Sequence, residues 1–469
     1  MINLAALDKN RPIHFVGIGG VGMSSLALLL NRQGHKVTGS DSAESGNVDA
    51  LRAAGIEVTI GHDPSNVQSR TAVVVASLAA VGLTNSEVLW GRQIGIRVAD
   101  RARLLGSVLA PHEESIAVAG TAGKTSTTTL LGLVLTAAGL DPTIVVGSPA
   151  TQDNPNYRDG RGKYAVAEAC EYYRAFHHIR PGTAIVLNMV PGDHGDYFTS
   201  PEDMYDAFDT FVGNIRQGGL LVTSADQPRT RDLGQGRDLR RVTFGFSPEA
   251  DYRAVILGWD GGRARFAVLY RGELLGEIAS GLLGEHNVTN TLAVIATGHQ
   301  HGLTLDEMRE PIESFTGAPR RLQFQGKRDG VNVWDDLACT PEEMKATMSA
   351  LRGAAGSGRI TVVLRPNSYS RVRDLLQQYP DAFTSRDRIV LTGIFRGRDK
   401  ETFEMTPEHV LEVLCEAGLN VQYVPDVNDA PNTESILGAL QGMREGDTLI
   451  TVGPNDIAPI GRAWLGSQA

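Results

Sequence analysis

Ile116-Ala-Val-Ala-Gly-Thr-Ala-Gly-Lys-Thr125 is the stretch on which the reading of this chain turns. Ile116 to Ala119 form a short apolar strand, the glycines end it, and the run from Thr127 to Ala138 reads as a helix. A strand that feeds a glycine loop and then a helix lets backbone N–H groups converge on phosphate oxygens. Lys124 neutralises their charge, and Thr125 places a hydroxyl on Mg²⁺ at the helix start. The glycines matter because the backbone must turn sharply and come close to the ligand. The motif is GxxGKT, shorter than GxxxxGK[ST]. A plain glycine turn with a solvated lysine has the same tripeptide, but the strand before it and the threonine-rich Ser126 to Thr129 after it favour nucleotide binding. Gly120, Thr121, Ala122, Gly123, Lys124, Thr125 and Ser126 are therefore the expected nucleotide-phosphate contacts.

A second glycine loop lies near the start. Gly17-Ile-Gly19-Gly20-Val-Gly22 sits between the apolar His14 to Ile18 and a helix from Met23 to Gln33, with Asp41 after the next strand, His35 to Gly39. That is the pattern of a turn wrapping a pyrophosphate, with an acid roughly 20 residues on reaching a ribose hydroxyl. A close-packed turn without ligand is the alternative. NAD and a UDP-sugar both present a pyrophosphate to such a loop. A dehydrogenase needs only this loop, so the second, lysine-bearing loop argues for different chemistry.

Working outward, the 469 residues suggest about three domains at roughly 100 to 200 residues each. Hydrophobic residues make up 42% and charged residues 21%, ordinary values for a globular enzyme. The net charge of −10 repels nucleic-acid backbones, so nucleic acid is not expected as a partner. Three dispersed cysteines, Cys170, Cys339 and Cys415, fit neither a disulfide framework nor a zinc site. The N-terminus lacks a signal-peptide pattern, and no apolar run approaches the ~20 residues of a membrane span. A cytoplasmic protein without membrane insertion is expected; oligomeric state is not legible.

Strand and helix alternate from His14 to Ala76, the last strand of that stretch being Thr71 to Ala76. The second unit adds strands at Ala165 to Ala167, Ala184 to Leu187 and Gly219 to Thr223, and an antiparallel meander from Tyr252 to Ile278 attached to it. The third has strands at Val331 to Trp334, Arg359 to Leu364, Arg388 to Leu391 and Thr448 to Val452, with a helix from Glu342 to Leu351. This rhythm is α/β with doubly wound sheets.

With these residues in view, the chain resembles the Mur ligases, and within them the branch joining L-alanine to UDP-N-acetylmuramate. The resemblance is carried by His14 to Ser24, Gly39-Ser-Asp41, Ala119 to Thr125, Glu168-Ala-Cys-Glu171, Asp193-His194, Gly284-Glu-His-Asn-Val-Thr-Asn290, Arg320-Arg321, Asp335-Asp336, Tyr369-Ser-Arg371 and Gly453 to Ile457. It covers essentially the whole chain, in the family's order. It implies three α/β domains: a Rossmann-like UDP-sugar domain over 1–108, a P-loop ATPase-like central domain over 109–318, and a Rossmann-like amino-acid domain over 319–469 that closes over both.

The resemblance further implies ATP and Mg²⁺ as cofactors, and UDP-N-acetylmuramate and an amino acid as substrates. The product is an amide made through an acyl phosphate, in peptidoglycan synthesis. Lys124, Glu168, His194 and Arg371 are the expected catalytic set, with Thr125, Glu168 and His194 on the metal. His286, Asn287, Asn290, Arg321 and Asp336 join the ATP site. Gly17, Gly19, Gly20, Gly22, Met23, Ser24 and Asp41 hold the UDP-sugar, and Arg371 takes the amino acid's carboxylate.

The chain departs from the family at several places. Ala122 stands where a histidine is usual, and Asn188-Met-Val-Pro-Gly replaces the usual approach to Asp193-His194. Asp335-Asp-Leu-Ala-Cys-Thr-Pro341 lacks two histidines, and Asn367 and Ser368 replace a histidine and an arginine. The amino-acid end has thus lost several donors. A murein-peptide ligase acting on the same sugar and a nucleotide-binding regulatory paralogue remain alternatives.

Overall fold

The computed structural model describes residues 2–77, 81–147, 156–192, 194, 197–397 and 399–466. It forms two compact units: Met1–Met189, Tyr205–Asp251 and Ala293–Pro311 in the first; Val190–Met204, Tyr252–Leu292 and Ile312–Ala469 in the second.

The first unit contains two sheets. In one, β1 (Ile13–Val16), β2 (Val37–Asp41), β3 (Glu57–Ile60), β4 (Val73–Ala76) and β5 (Arg97–Asp100) lie in the order β3-β2-β1-β4-β5, all parallel. β1 and β4 are buried at every residue, as central strands covered on both faces must be. Strand order reverses at β1, so its glycine loop opens at the switch point, where ligands bind in such sheets.

The other sheet is built from β6 (Glu114–Ala119), β7 (Thr143–Val145), β8 (Tyr157–Arg158), β9 (Tyr164–Glu168), β10 (Thr183–Val186), β11 (Leu220–Ser224) and β12 (Arg240–Gly245). Their order is β12-β11-β10-β6-β9-β7-β8, parallel except between β7 and β8. β6 is flanked by β10 and β9, so the loop after it and the ends of its two neighbours share one edge. The helix Lys124–Ala137 packs Leu130, Leu131, Val134 and Leu135 at no more than 1% exposure. At roughly 1.5–3 kcal/mol per buried aliphatic side chain, these four fix the helix, and with it the lysine loop.

In the second unit, β13 (Tyr252–Asp260), β14 (Arg263–Tyr270) and β15 (Glu273–Leu283) make an antiparallel meander. Its Gly262 turn lies against Ala350 and Gly353 of the helix Pro341–Ala355. The remaining strands are β16 (Gln323–Arg328), β17 (Val331–Asp336), β18 (Ile360–Leu364), β19 (Arg388–Leu391), β20 (Asn420–Tyr423) and β21 (Thr448–Val452). They run β16-β17-β21-β18-β19-β20, parallel apart from β16. The helix Pro341–Ala355 starts at a capping box: Thr340 accepts from the Glu343 N–H and Glu343 accepts from the Thr340 N–H.

Several edge strands escape the hydrophobic pattern. β3 is exposed at Glu57, Thr59 and Ile60, and β20 alternates exposed and half-buried residues. The strand expected at Val331 to Trp334 runs on through Asp335 and Asp336, and Arg371 lies in the first turn of the helix Tyr369–Leu375. No described helix is long and apolar enough to cross a membrane.

Candidate active site

The lysine loop leaves β6 through Gly120, at φ 143°, and enters its helix through Gly123, at φ 84°. Both values lie where a side chain is strained. A Cβ at position 120 would also stand 3.1 Å from Leu187 Cβ.

Asn188, just beyond β10, ties the loop down. Its Oδ1 accepts from the Ala122 N–H at 2.8 Å, its Nδ2 donates to the Ala122 carbonyl at 3.1 Å, and its own carbonyl accepts from the Thr121 N–H at 3.3 Å. The clamp uses only backbone atoms at position 122, so an alanine there costs it nothing.

Lys124 Nζ donates to the carbonyls of Gly120 (2.5 Å) and Thr121 (3.0 Å) and to Glu171 Oε1 (3.0 Å). Glu171, 2% exposed, also has its Oε2 at 3.0 Å from that ammonium. Between the two acids of this loop, burial pushes the Cys170 thiol up, the Glu171 charge adding to it. Such a thiol stays protonated and is no nucleophile.

Glu168 ends β9, opposite Val118 of β6. Its Oε1 is buried and has no hydrogen-bond partner, while Oε2 lies 2.5 Å from where a Cβ on Gly147 would stand. A buried carboxylate oxygen left open calls for a water or a cation. Together with the Thr125 hydroxyl at the helix start, it offers hard oxygen ligands of the kind Mg²⁺ prefers. No cluster of three His, Cys, Asp or Glu side chains occurs among the described residues. A cation here would draw most of its ligands from phosphate and water, as Mg²⁺ does.

At the first glycine loop, Gly17 takes φ 75°, and the N–H groups of Gly17 and Ile18 both donate to the Ser40 carbonyl. Asp41 Oδ2 accepts from the Gly19 N–H at 2.8 Å, so in this structure the acid braces the loop. Gly20 caps the helix Val21–Arg32. Met23 and Ser24 are buried, and the Ser24 hydroxyl donates to the Val21 carbonyl at 3.0 Å. Gly22 has the Arg101 guanidinium beside it, 3.2 Å from the position of a Cβ.

In the second unit, Asn287 Nδ2 donates to the Leu283 carbonyl (2.9 Å) and to His286 Nε2 (3.0 Å), and Asn290 Nδ2 donates to Asn287 Oδ1 (2.9 Å). His286 therefore carries its proton on Nδ1, and burial pushes its pKa down to about 4. Asp336 accepts from the Leu322 and Ala338 N–H groups, and burial pushes its carboxyl up to about 6 even though the Arg321 charge pulls it down. Asp335 is paired with Arg320 at 2.8 Å and accepts from Thr451 Oγ1 at 2.6 Å; both acids hold the turn that presents Arg321.

His194, in a turn at φ 56°, has Nδ1 at 3.4 Å from an Arg371 guanidinium nitrogen. Asp193, next to it, lies outside the described residues. Near Arg371, Cys339 accepts from Asn367 Nδ2 at 2.8 Å and donates to the Leu337 carbonyl. Burial raises this thiol to about 11, which makes it a packing group.

The structure thus gathers Lys124, Thr125, Glu168 and Glu171 at one sheet edge, and His194 with Arg371 in the other unit. The sequence reading missed the roles of Asn188 and Glu171. Their partners lie 66 and 47 residues away, and although Glu171 stands in one of the stretches that carry the resemblance, nothing local marks its partner.

Three family models match in succession: Mur ligase family, catalytic domain, at residues 12–113; Mur ligase middle domain at 118–298; and Mur ligase, glutamate ligase domain, at 320–455. The chain is 34% identical over 461 residues to a UDP-N-acetylmuramate–L-alanine ligase of Caldanaerobacter subterraneus, covering 98% of each. It is 37% identical to the protein of that name from Streptomyces griseus, covering 96% of each. Among solved structures, it resembles the UDP-N-acetylmuramate–alanine ligase of Thermotoga maritima with a TM-score of 0.81 at 26% identity, over 97% of this chain and 98% of that one. A murein peptide ligase of Psychrobacter arcticus shares the fold, at a TM-score of 0.70 and 22% identity over 97% of this chain and 98% of that one. With relatives of this identity spanning nearly the full length, the chain belongs to the Mur ligase family.

Proposed function

We propose that this chain is an ATP-dependent ligase that joins the carboxylate of UDP-N-acetylmuramate to L-alanine or a related amino acid, in the cytoplasm, for peptidoglycan synthesis. The observation that carries the reading is the lysine loop at the edge of β6 with the open carboxylate oxygen of Glu168 on the neighbouring strand. The names of the full-length relatives support alanine as the acceptor over a recycled peptide. We take residues 1–108 as the UDP-sugar domain, 109–318 as the ATP domain and 319–469 as the amino-acid domain.

A carboxylate does not react with an amine, because oxide is too poor a leaving group. Transfer of the γ-phosphoryl of ATP to that carboxylate gives an acyl phosphate, and attack by the neutral amine then gives the amide, ADP and phosphate. Two anions must meet in the first step, so the work of the protein is positioning and charge cancellation. Lys124 would face the phosphates, and Thr125 and Glu168 would hold Mg²⁺, which would supply further charge cancellation. Gly120 to Ser126 wrap the phosphates. His286, Asn287 and Asn290 contact the adenine, and Arg321 and Asp336 complete the ATP site. Gly17, Gly19, Gly20, Gly22, Met23, Ser24 and Asp41 form the UDP-sugar end, and Arg371 pairs with the carboxylate of the incoming amino acid.

The test is ADP release by the purified chain with UDP-N-acetylmuramate, ATP, Mg²⁺ and a panel of amino acids and short peptides. Release with a free amino acid supports the proposal. Release only with a peptide favours the murein-peptide reading, and none with any acceptor favours a regulatory paralogue.

A further inference from the structure

The end of β9 and the turn after it carry two carboxylates three residues apart, Glu168 and Glu171. Each has one buried oxygen without a hydrogen-bond partner, Oε1 of Glu168 and Oε2 of Glu171, but only Glu171 stands against the lysine. Glu171 is 2% exposed and sits with both oxygens 3.0 Å from the Lys124 ammonium, which is itself only 16% exposed. A carboxylate this deeply buried is costly to leave without a positive neighbour. The same ammonium is the group that a triphosphate in the lysine loop would recruit.

We propose that Glu171 is a positioning residue that competes with phosphate for Lys124. It holds the ammonium in the loop while no nucleotide is bound, against the carbonyls of Gly120 and Thr121, and it yields that ammonium when the polyphosphate enters. Glu171 thereby keeps the lysine ordered, and it lowers nucleotide affinity by the fraction of time the lysine is engaged. If that fraction is roughly nine-tenths, apparent affinity falls about tenfold relative to a lysine that is always available. The inference rests on reading the Lys124 loop as the nucleotide site.

The experiment measures the Kd of a non-hydrolysable ATP analogue with Mg²⁺ on the full chain by calorimetry, for the parent and Glu171→Gln, together with steady-state KM for ATP and kcat. Glutamine keeps the shape and one acceptor oxygen but removes the charge. The expected result is a Kd and a KM for ATP about tenfold lower, with kcat within threefold. A Kd unchanged or raised overturns the proposal: unchanged means that the pair only holds the fold, and raised means that the carboxylate serves the loaded site. If the glutamine variant does not fold, Glu171→Asp withdraws the charge by one methylene and is expected to lower Kd about threefold; no decrease there overturns the proposal equally. A parent chain that binds no analogue would instead sink the nucleotide reading itself, a distinguishable failure.

Discussion

Replacing Asn188 with alanine removes the side-chain clamp on the lysine loop and leaves the sheet beneath it intact. Two hydrogen bonds vanish, at 2.8 and 3.1 Å, both to the backbone of Ala122. At about 1 kcal/mol each, their loss totals about 2 kcal/mol. That free energy falls on the order of the loop, because the atoms released belong to the loop and not to β6 or β10. A loop that must be ordered by its ligand binds the ligand more weakly by the same amount, so at 1.4 kcal/mol per factor of ten nucleotide affinity drops about 30-fold. Calorimetric titration of Asn188→Ala with the ATP analogue and Mg²⁺ reads this directly, and Tm should move by only a few degrees. Asn188→Asp is the sharper companion. It keeps the acceptor for the Ala122 N–H but sets a negative charge against the Ala122 carbonyl and the incoming phosphates, so it should bind less well than the alanine variant. If Asn188→Ala binds the analogue within threefold of the parent, the loop does not depend on the clamp and the argument fails.

Gly147→Ala places a Cβ 2.5 Å from Glu168 Oε2, so the carboxylate must rotate away. kcat is expected to fall at least tenfold with a raised Mg²⁺ requirement, and an unchanged Mg²⁺ titration would remove Glu168 from the metal. Arg371→Ala should raise KM for the amino acid about 10- to 100-fold, the worth of a charge-assisted pair, with KM for ATP within twofold; equal effects on both substrates would contradict its assignment. For His286, the unfolded chain takes up a proton near pH 6.5, but the folded imidazole resists until about 4. Its contribution to stability is complete above pH 6.5 and is lost as pH falls toward 4. In Tm measured from pH 7 to 4, His286→Gln should therefore flatten the decline; superimposable curves would show that another group causes it.

What could be read in advance follows from what each segment has to bury. β19 and β21 were legible to the residue, at Arg388–Leu391 and Thr448–Val452, because a parallel strand covered on both faces is a continuous apolar run. β3 and β20 stand at sheet edges, where half the residues face water and sequence such as Glu57-Val-Thr-Ile60 carries no such run. The same logic divides the site. The lysine loop was legible because its glycines, lysine and threonine are neighbours in sequence, and the strand that feeds it is apolar. Asn188 and Glu171 act on that loop from the ends of β10 and β9, strands that reach the edge of β6 only through the topology of the sheet.

Asp41 shows a further limit. Its spacing from the first glycines marks it as an acid near the loop, and the structure agrees, but the carboxylate accepts from the Gly19 N–H. Spacing fixes proximity, whereas the partner depends on which hydrogen-bonding groups remain unsatisfied once the loop has closed. For Asp41 to reach a ribose hydroxyl it must share or release that N–H, and the released N–H becomes available to the pyrophosphate. Asp41→Asn keeps an acceptor for Gly19 while removing the charge. It should weaken UDP-N-acetylmuramate binding less than Asp41→Ala, which frees the loop altogether. Equal losses in the two calorimetric Kd values would mean that the acid's charge, and not its brace on the loop, is what the sugar nucleotide needs.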